Sequence, residues 1–355
     1  MTARLVVAPN WIGDAVLSLP FLRALRAAHP GDRLAVLARK GPAAIYRSES
    51  TADEVLERSA RLRDDARTVR SGRFDEAWLL PNSFRAALIA FLGGARRRIG
   101  YATDFRTWLL TDPLPPPSGT DHQLRDYDAL LRSHGIEPDP GAPRLPIPPE
   151  ALARADRALA AADWSAGSRP ILLAPGSAKA STKRWPPERF AALGDALALQ
   201  GWPCGLVVGP EETDLGSRVS AAARTPLPVL GADLDPIELA ALLSRARLLI
   251  SNDSGPMHLA AAVGTPVVAF FGPTDPGRTA GVGSPVKVLD RYLFCSPCHR
   301  DACPYGHECM LEITVDMALR ACEEMVNRAV IPRSVSDEGS RARLVRDPSR
   351  SLPRT

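Results

Sequence analysis

The residues best suited to chemistry lie in the run 172–186, Leu-Leu-Ala-Pro-Gly-Ser-Ala-Lys-Ala-Ser-Thr-Lys-Arg-Trp-Pro. A short apolar stretch ends in Pro175-Gly176-Ser177, and a loop carrying Lys179, Lys183, Arg184 and the hydroxyls of Ser181 and Thr182 leads into a helix predicted to start near Pro187. Strand ends that open onto helices present free backbone N–H groups, and a lysine there adds the charge needed to hold a pyrophosphate. The run therefore reads as a phosphate cradle, with Ser177, Thr182 and Lys183 as candidate ligands. Gly-x-x-x-x-Gly-Lys-Ser/Thr is absent, so a nucleotide held here is expected to act as a group carrier and not as a hydrolysed fuel.

Three further segments follow the same strand-to-helix logic. In Asn10-Trp11-Ile12-Gly13-Asp14, Gly13 lets the backbone turn tightly and approach a ligand, and the Asp14 carboxylate could take a proton from an attacking hydroxyl. Asp is also a favoured N-cap, and that reading stands beside the first. In Asn252-Asp253-Ser254-Gly255-Pro256-Met257-His258, Ser254 can cap the helix, Gly255 permits close approach, and the N–H groups of the first turn suit a diphosphate. His258, one turn in, either reaches the phosphates or packs on the sheet. In Gly209-Pro210-Glu211-Glu212 an acidic side chain at a strand end could accept from a ribose diol, or simply complement the helix dipole.

A different chemistry is suggested by Cys295-x2-Cys298-x4-Cys303-x5-Cys309, with His299 and His307 interleaved. Four thiolates this close could close around zinc or an iron–sulfur cluster, although a typical site pairs two Cys-x-x-Cys hooks and one is present here. Reduced thiols are the other reading, and no metal is assigned to the reaction. Cys204 and Cys322 suit buried core positions.

The elements that must position these residues alternate in type. Leu5–Ala8, Leu34–Ala38, Val55–Leu56 and Ala77–Leu80 read as strands in the first half, with helical spacing over 15–28 and 83–93. Ile171–Ala174, Gly205–Val208, Leu248–Ser251 and Val267–Phe271 repeat the pattern, separated by helices at 187–200, 212–223, 236–245 and 254–263. Proline-dense stretches at 113–117 and 138–149 flank a helical segment at about 121–134, so the division between two domains falls within 113–150. The expected organisation is an α/β domain over 1–150, a nucleotide-binding domain over 151–331 closing with a helix at 314–329 capped by Thr314, and a disordered Arg/Ser-rich tail over 332–355.

Apolar residues make up 45% and charged residues 24%, as in ordinary globular proteins. The net charge of +4 suits a phosphorylated substrate, nucleic acid or an anionic membrane alike. No stretch reaches the ~20 apolar residues of a membrane span, and Leu5-Val6-Val7-Ala8 is too short for a signal peptide, so a cytoplasmic protein is expected. Aromatic content of 6% with no stacking platform argues against a zinc-stabilised nucleic-acid binder.

The chain resembles the bacterial ADP-heptose:lipopolysaccharide heptosyltransferases of glycosyltransferase family 9, type II most of all. The residues that carry the likeness are Asn10–Asp14, Leu80-Pro81-Asn82-Ser83-Phe84, Lys183-Arg184-Trp185-Pro186 and Asn252–His258, followed by Phe271-Gly272-Pro273-Thr274. The resemblance implies a GT-B fold, in which two Rossmann-like, doubly wound domains face each other across a cleft. ADP-heptose would lie on the C-terminal domain and the lipid A-linked inner-core oligosaccharide on the N-terminal one, with no cofactor and no nucleic-acid partner. It further implies Asp14 as general base and Lys183 on the donor phosphates. Asp253, Ser254, Gly255 and His258 would surround the diphosphate, Glu212 would hold the ribose, and Gly13 and Asn82 would complete the substrate contacts.

An inverting transfer follows from this, in which fixed donors stabilise the departing diphosphate. No Asp-x-Asp pair stands near the cradle, which assigns that task to protein cations. Arg85 and Arg96-Arg97-Arg98 could meet acceptor phosphates or the inner leaflet of the inner membrane, or form a solvated face. The alternatives are another family 9 transferase with a different acceptor, and a nucleotide-sugar epimerase of similar architecture.

Overall fold

The computed structural model describes residues 1–165, 167–177 and 181–330. Lys179 of the cradle and the tail over 332–355 lie outside the described residues.

Twelve strands form two six-stranded sheets among these residues, every pairing parallel. The first sheet contains β1 (Ala3–Val7), β2 (Arg33–Ala38), β3 (Glu54–Glu57), β4 (Glu76–Leu79), β5 (Arg97–Tyr101) and β6 (Asp112–Leu114), in the order β3-β2-β1-β4-β5-β6. The second contains β7 (Ile171–Ala174), β8 (Cys204–Val207), β9 (Val229–Leu230), β10 (Leu248–Asn252), β11 (Val267–Phe270) and β12 (Val286–Leu289), in the order β9-β8-β7-β10-β11-β12. Counted from its own first strand, each sheet has the same doubly wound order. The winding direction reverses between β1 and β4, and between β7 and β10, and crevices open at those strand ends.

The central strands are apolar without alternation because helices cover both of their faces. Leu5, Val6, Val7, Leu172, Leu173, Leu249 and Ile250 are all buried. The strands that sequence spacing does not single out are β5, β6, β9 and β12. Of these, β5 opens on two arginines, β6 contains Pro113, which lacks a donor and is tolerated at an edge, and β9 has two residues.

The helix expected over 15–28 is two helices, Ile12–Leu17 and Leu19–Ala28. Pro20 has no N–H to offer the carbonyl of Val16, so the ladder breaks at Ser18. The last helix, Val315–Val330, starts where expected, and Met317 N–H donates to Thr314 Oγ1 at 3.2 Å. The helix Pro149–Ala160 packs on Pro236–Arg245, with Arg245 and Asp156 paired at 2.9 Å.

The two halves are packed together. Helix Ile12–Leu17 lies against Gly255–Ala262, and Lys40–Glu49 against Pro236–Arg245. One cluster of buried apolar side chains includes Val6, Val16 and Trp78 from the first sheet region and Leu172, Leu249 and Met257 from the second. The first helix after β1 thus meets the first helix after β10, and the two crevices face each other.

Candidate active site

At the second crevice the ends of β7 and β10 are fastened by one side chain. Asn252 donates from Nδ2 to the carbonyls of Pro175 (2.8 Å) and Gly176 (3.2 Å), and its Oδ1 accepts from Trp185 N–H at 3.0 Å. The cradle loop is thereby fixed to the strand that follows it in the sheet. Trp185 is fully buried against Phe190 and Phe270, which anchors the far end of the loop.

Lys183 reaches Asp253 at 2.6 Å, and Thr274 Oγ1 donates to the same carboxylate oxygen at 2.8 Å. Asp253 thus holds the lysine and the threonine together at the head of the crevice. Asp253 and Thr274 are buried and Lys183 is mostly covered, so the pairing is weakly screened.

Ser254 does not cap its helix, contrary to the sequence expectation. Its hydroxyl lies 3.1 Å from that of Ser251, and Met257 N–H goes to the Ser254 carbonyl. Pro256 at N2 has no N–H to give, and the N3 donor, Met257 N–H, goes to the Ser254 carbonyl while the hydroxyl turns to Ser251.

His258 is buried, and burial is the main cause that lowers its pKa to about 4. The imidazole is therefore neutral at pH 7 and acts as a hydrogen-bonding group, not as a cation. Its Nδ1 is buried without a hydrogen-bond partner among the described residues. Glu212 occupies the opposite flank of the cradle. It ends the turn Pro210–Glu212, accepts from Gly209 N–H at 3.2 Å, and lies so near Gly176 that a Cβ there would collide with the carboxylate. A side chain at 176 would therefore displace the Glu212 carboxylate from this position.

Two cradle residues have other engagements. Thr182 is buried and donates to the Arg300 carbonyl at 2.7 Å, while His307 Nε2 meets the Thr182 carbonyl at 2.5 Å. The residue before Lys183 is thus tied to the cysteine-rich segment. Ser177 is buried, and its carbonyl accepts from Arg184 at 2.9 Å.

At the first crevice Asp14 is the third residue of helix Ile12–Leu17, and Trp11 occupies the N-cap position. The N-cap reading of Asp14 is therefore displaced by one turn; a carboxylate in the first turn is still favoured by the dipole. Tyr46 and Tyr127 are buried nearby, and burial, reinforced by the Asp14 charge, holds both phenols protonated. Asn10 is fastened by Arg58, whose Nη1 donates to its Oδ1 at 2.8 Å. Arg58 in turn pairs at 3.5 Å with Asp65, a buried carboxylate that also takes Ser59 N–H (2.6 Å) and Arg85 (3.3 Å).

Asn82 lies in the loop after β4, and the loop is held by a residue that sequence reasoning missed. Arg106 is fully buried, and desolvation lowers its pKa to about 10. Its guanidinium donates to the carbonyls of Tyr101 (2.9 Å), Pro81 (2.5 Å) and Ser83 (3.2 Å), and reaches Asn82 Oδ1 at 3.4 Å. Nothing in the local pattern marks this arginine out from the arginines that stay at the surface.

The two crevices touch at one point. A Cβ on Gly13 would run into the His258 ring, and one on Gly255 would press on Ile12. Asp14, next in sequence to Gly13, is brought beside the helix whose head carries His258, Asp253 and, through it, Lys183. Glu212 and Asn82 sit further out, one on each side.

The arginine run does not act as a block. Arg97 bridges Glu76 (2.8 Å) and Asp112 (2.6 Å), Arg98 donates to the carbonyls of Ala95 and Leu109, and Arg96 is exposed, 3.7 Å from Asp75. The thiols of Cys295, Cys298, Cys303 and Cys309 line a cavity of about 350 Å³ together with Phe294 and Tyr305. Burial, then the neighbouring thiols, pushes Cys309 up to about 11. Among the described residues no group of three His, Cys, Asp or Glu side chains is arranged to hold a metal ion.

Residues 63–308 match the family model described as glycosyltransferase family 9 (heptosyltransferase). The chain is 27% identical over 346 residues to lipopolysaccharide heptosyltransferase 2 of Salmonella typhimurium, covering 91% of this chain and 98% of that protein. It is 28% identical to the Escherichia coli K12 protein of the same name, over 89% and 96% of the two chains. Among solved structures, a glycosyltransferase family 9 protein of Veillonella parvula superposes with a TM-score of 0.80 at 24% identity, over 92% and 97% of the chains. The ADP-heptose lipopolysaccharide heptosyltransferase II of Escherichia coli gives 0.77 at 24% identity, over 92% and 99%. These neighbours share the GT-B arrangement of two Rossmann-like domains, which is the fold of this chain.

Proposed function

From the premise that the chain belongs to glycosyltransferase family 9, we propose that it moves L-glycero-D-manno-heptose from ADP-heptose to the heptose/Kdo inner core of lipopolysaccharide. The observation that carries this reading is the meeting of the two crevices, with a cation-bearing helix head on one side and the Asp14 carboxylate on the other. The names of the type II relatives support the lipopolysaccharide acceptor, and that of the solved Escherichia coli heptosyltransferase II supports the ADP-heptose donor.

In the proposed reaction an acceptor hydroxyl oxygen attacks the anomeric carbon of the donor. The new C–O bond forms as the bond to the diphosphate breaks, and the configuration inverts. The hydroxyl proton passes to Asp14, and ADP leaves with the electron pair. Lys183 meets the negative charge that grows on the diphosphate, and the N–H groups at the start of helix Gly255–Ala262 add a fixed positive field. Such donors lower the barrier because they strengthen as charge develops and need no reorganisation at that moment.

Asp253 and Thr274 are assigned to hold Lys183 on target. Neutral His258 is assigned to donate to a phosphate or sugar oxygen, and pairing its orphaned nitrogen would offset a penalty of about 1–3 kcal/mol. Glu212 takes the ribose hydroxyls, and Ser177, Thr182, Ser254 and Gly255 line the diphosphate. Gly13 and Asn82 receive the acceptor, a lipid A-linked oligosaccharide reached by peripheral contact with the inner membrane from the cytoplasmic side.

The test is a transfer assay with ADP-heptose and a panel of truncated inner-core acceptors, read by mass. A gain of one heptose on one acceptor, dependent on both substrates, is the expected result. Consumption of ADP-heptose without any acceptor, or no mass gain on any of them, would refute the assignment.

A further inference from the structure

Resting on the reading that the acceptor is anchored in a bilayer, we propose that the face formed by helix Phe84–Leu92 and the turn 104–109 seats the protein on an anionic phospholipid surface. The helix sequence, Phe-Arg-Ala-Ala-Leu-Ile-Ala-Phe-Leu, carries one charge. Ala86, Ala87, Ile89 and Ala90 fill its core side. Phe84, Leu88, Phe91 and Leu92 recur at i, i+4, i+7 and i+8, which is a second apolar stripe that the sheet covers only in part.

Phe91 is 43% and Leu92 37% exposed, and the neighbouring turn adds Trp108 at 67% and Phe105 at 93%. The rings form a group: the Trp108 centroid is 6.2 Å from those of Phe84 and Phe91. Contiguous exposed apolar surface of this kind costs free energy in water and marks a surface that something covers.

Charge decides what that is. Residues 58–112 contain eleven arginines, no lysine and six carboxylates, a local excess larger than that of the whole chain. The Arg98 guanidinium lies 5.3 Å above the Phe91 ring, Arg70 donates to the Leu92 carbonyl at 2.7 Å, and Arg96 projects into solvent at the end of the same helix. Arg70 and Arg98 donate to main-chain carbonyls and form no ion pair with a carboxylate among the described residues, with Asp112 acting on Arg98 only through space. Aromatic and aliphatic side chains rimmed by arginines match a bilayer interface, where rings enter the headgroup layer and guanidinium groups meet lipid phosphates. A second copy of this chain would set two such rims against each other, which like charge opposes.

The face is also coupled to the site. Asp104 accepts from Phe84 N–H at 2.5 Å, Ser83 Oγ accepts from Ala86 N–H at 3.4 Å, and Arg106, between Phe105 and Trp108, holds Pro81, Asn82 and Ser83. Seating the rings therefore brings the Asn82 loop to headgroup level, where a lipid-anchored saccharide is presented.

The experiment is flotation of the full chain with phosphatidylcholine vesicles, with and without phosphatidylglycerol, alongside turnover on an acceptor stripped of its acyl chains. The parent protein should float with the anionic vesicles only. In Phe105→Ser/Trp108→Ser the bound fraction should fall roughly tenfold, with ADP affinity and turnover on the deacylated acceptor unchanged. Phe105→Ser alone, at the most exposed position, serves if the double variant misfolds. A parent that does not float, or variants that float as well as the parent, would overturn the proposal. So would a concentration-dependent dimer abolished by the variants without any flotation, which assigns the face to a second copy. A parent that floats but transfers no heptose to the deacylated acceptor leaves this inference standing and strikes the proposed function instead.

Discussion

The two crevices share one topology and differ in almost every functional atom. At β7 and β10 the polar groups pair with one another across long sequence distances: Lys183 with Asp253, Asp253 with Thr274, Asn252 with the cradle backbone. At β1 and β4 the loops are held from behind by buried arginines, Arg58 on Asn10 and Arg106 on the Asn82 loop, while Asp14 lies among buried phenols. The same strand order thus supports a lysine-bearing cradle on one side and a carboxylate near two buried phenols on the other. Topology fixes where a ligand can sit, and the loop residues fix its charge.

The sharpest way to break this contrast is Asp14→Asn. If the front carboxylate takes the acceptor proton, turnover should fall by roughly 10²–10⁴-fold with ADP affinity nearly unchanged by calorimetry. Unchanged turnover removes Asp14 from the chemistry.

The rear crevice has a pH signature of its own. The pKa of His258 drops from 6.5 to about 4 on folding, so between those values the unfolded chain binds more protons than the folded one. Its contribution to stability is complete above pH 6.5 and is lost as pH falls toward 4. Between pH 7 and 4.5 the parent should lose about 2 kcal/mol of unfolding free energy more than His258→Gln in urea titrations. Equal losses would mean the imidazole is not neutral and buried in solution.

Arg106→Met tests whether the front loop is held as described. Leaving three carbonyl partners unmatched should cost about 2 kcal/mol of stability and raise the acceptor KM more than it changes ADP affinity. An effect on ADP affinity alone would contradict the division between the crevices. Lys183→Ala tests the rear crevice in the same way. Removing one charge-assisted contact should weaken ADP binding by about 1.5–3 kcal/mol, read by calorimetry, and equal affinity in both proteins would refute the cradle assignment.

Much of this site could be read from spacing. The segments at Asn10, Pro175, Gly209 and Asn252 each follow an apolar run and precede a helix, and all four stand at the ends of β1, β7, β8 and β10, whereas Asn82, after β4, entered through the family resemblance. Helix bounds such as Pro236–Arg245 agree with their periodicity because a capping box of Asp235 and Glu238 and Pro236 mark its start. Where spacing failed, a competing local rule had won. Pro20 splits the first helix, and Pro256 removes one of the two donors a Ser254 cap could use.

Other features lay outside any window. Arg106 has the look of a surface cation between Phe105 and Thr107, and it matters only because Gly100 and the Pro81 loop close over it. The tie between the Thr182 hydroxyl and the Arg300 carbonyl spans more than a hundred residues, and no local spacing announces it.

The sequence by itself determined the alternation of strands and helices, the four strand-end turns and the residue types that could handle a diphosphate, because backbone preference and hydrophobic period are local properties. Only the tertiary structure decided that His258 is neutral, that Lys183 pairs with Asp253, and that an arginine is buried behind Asn82. Those outcomes depend on desolvation and on partners distant along the chain, and neither quantity is a function of neighbouring residues.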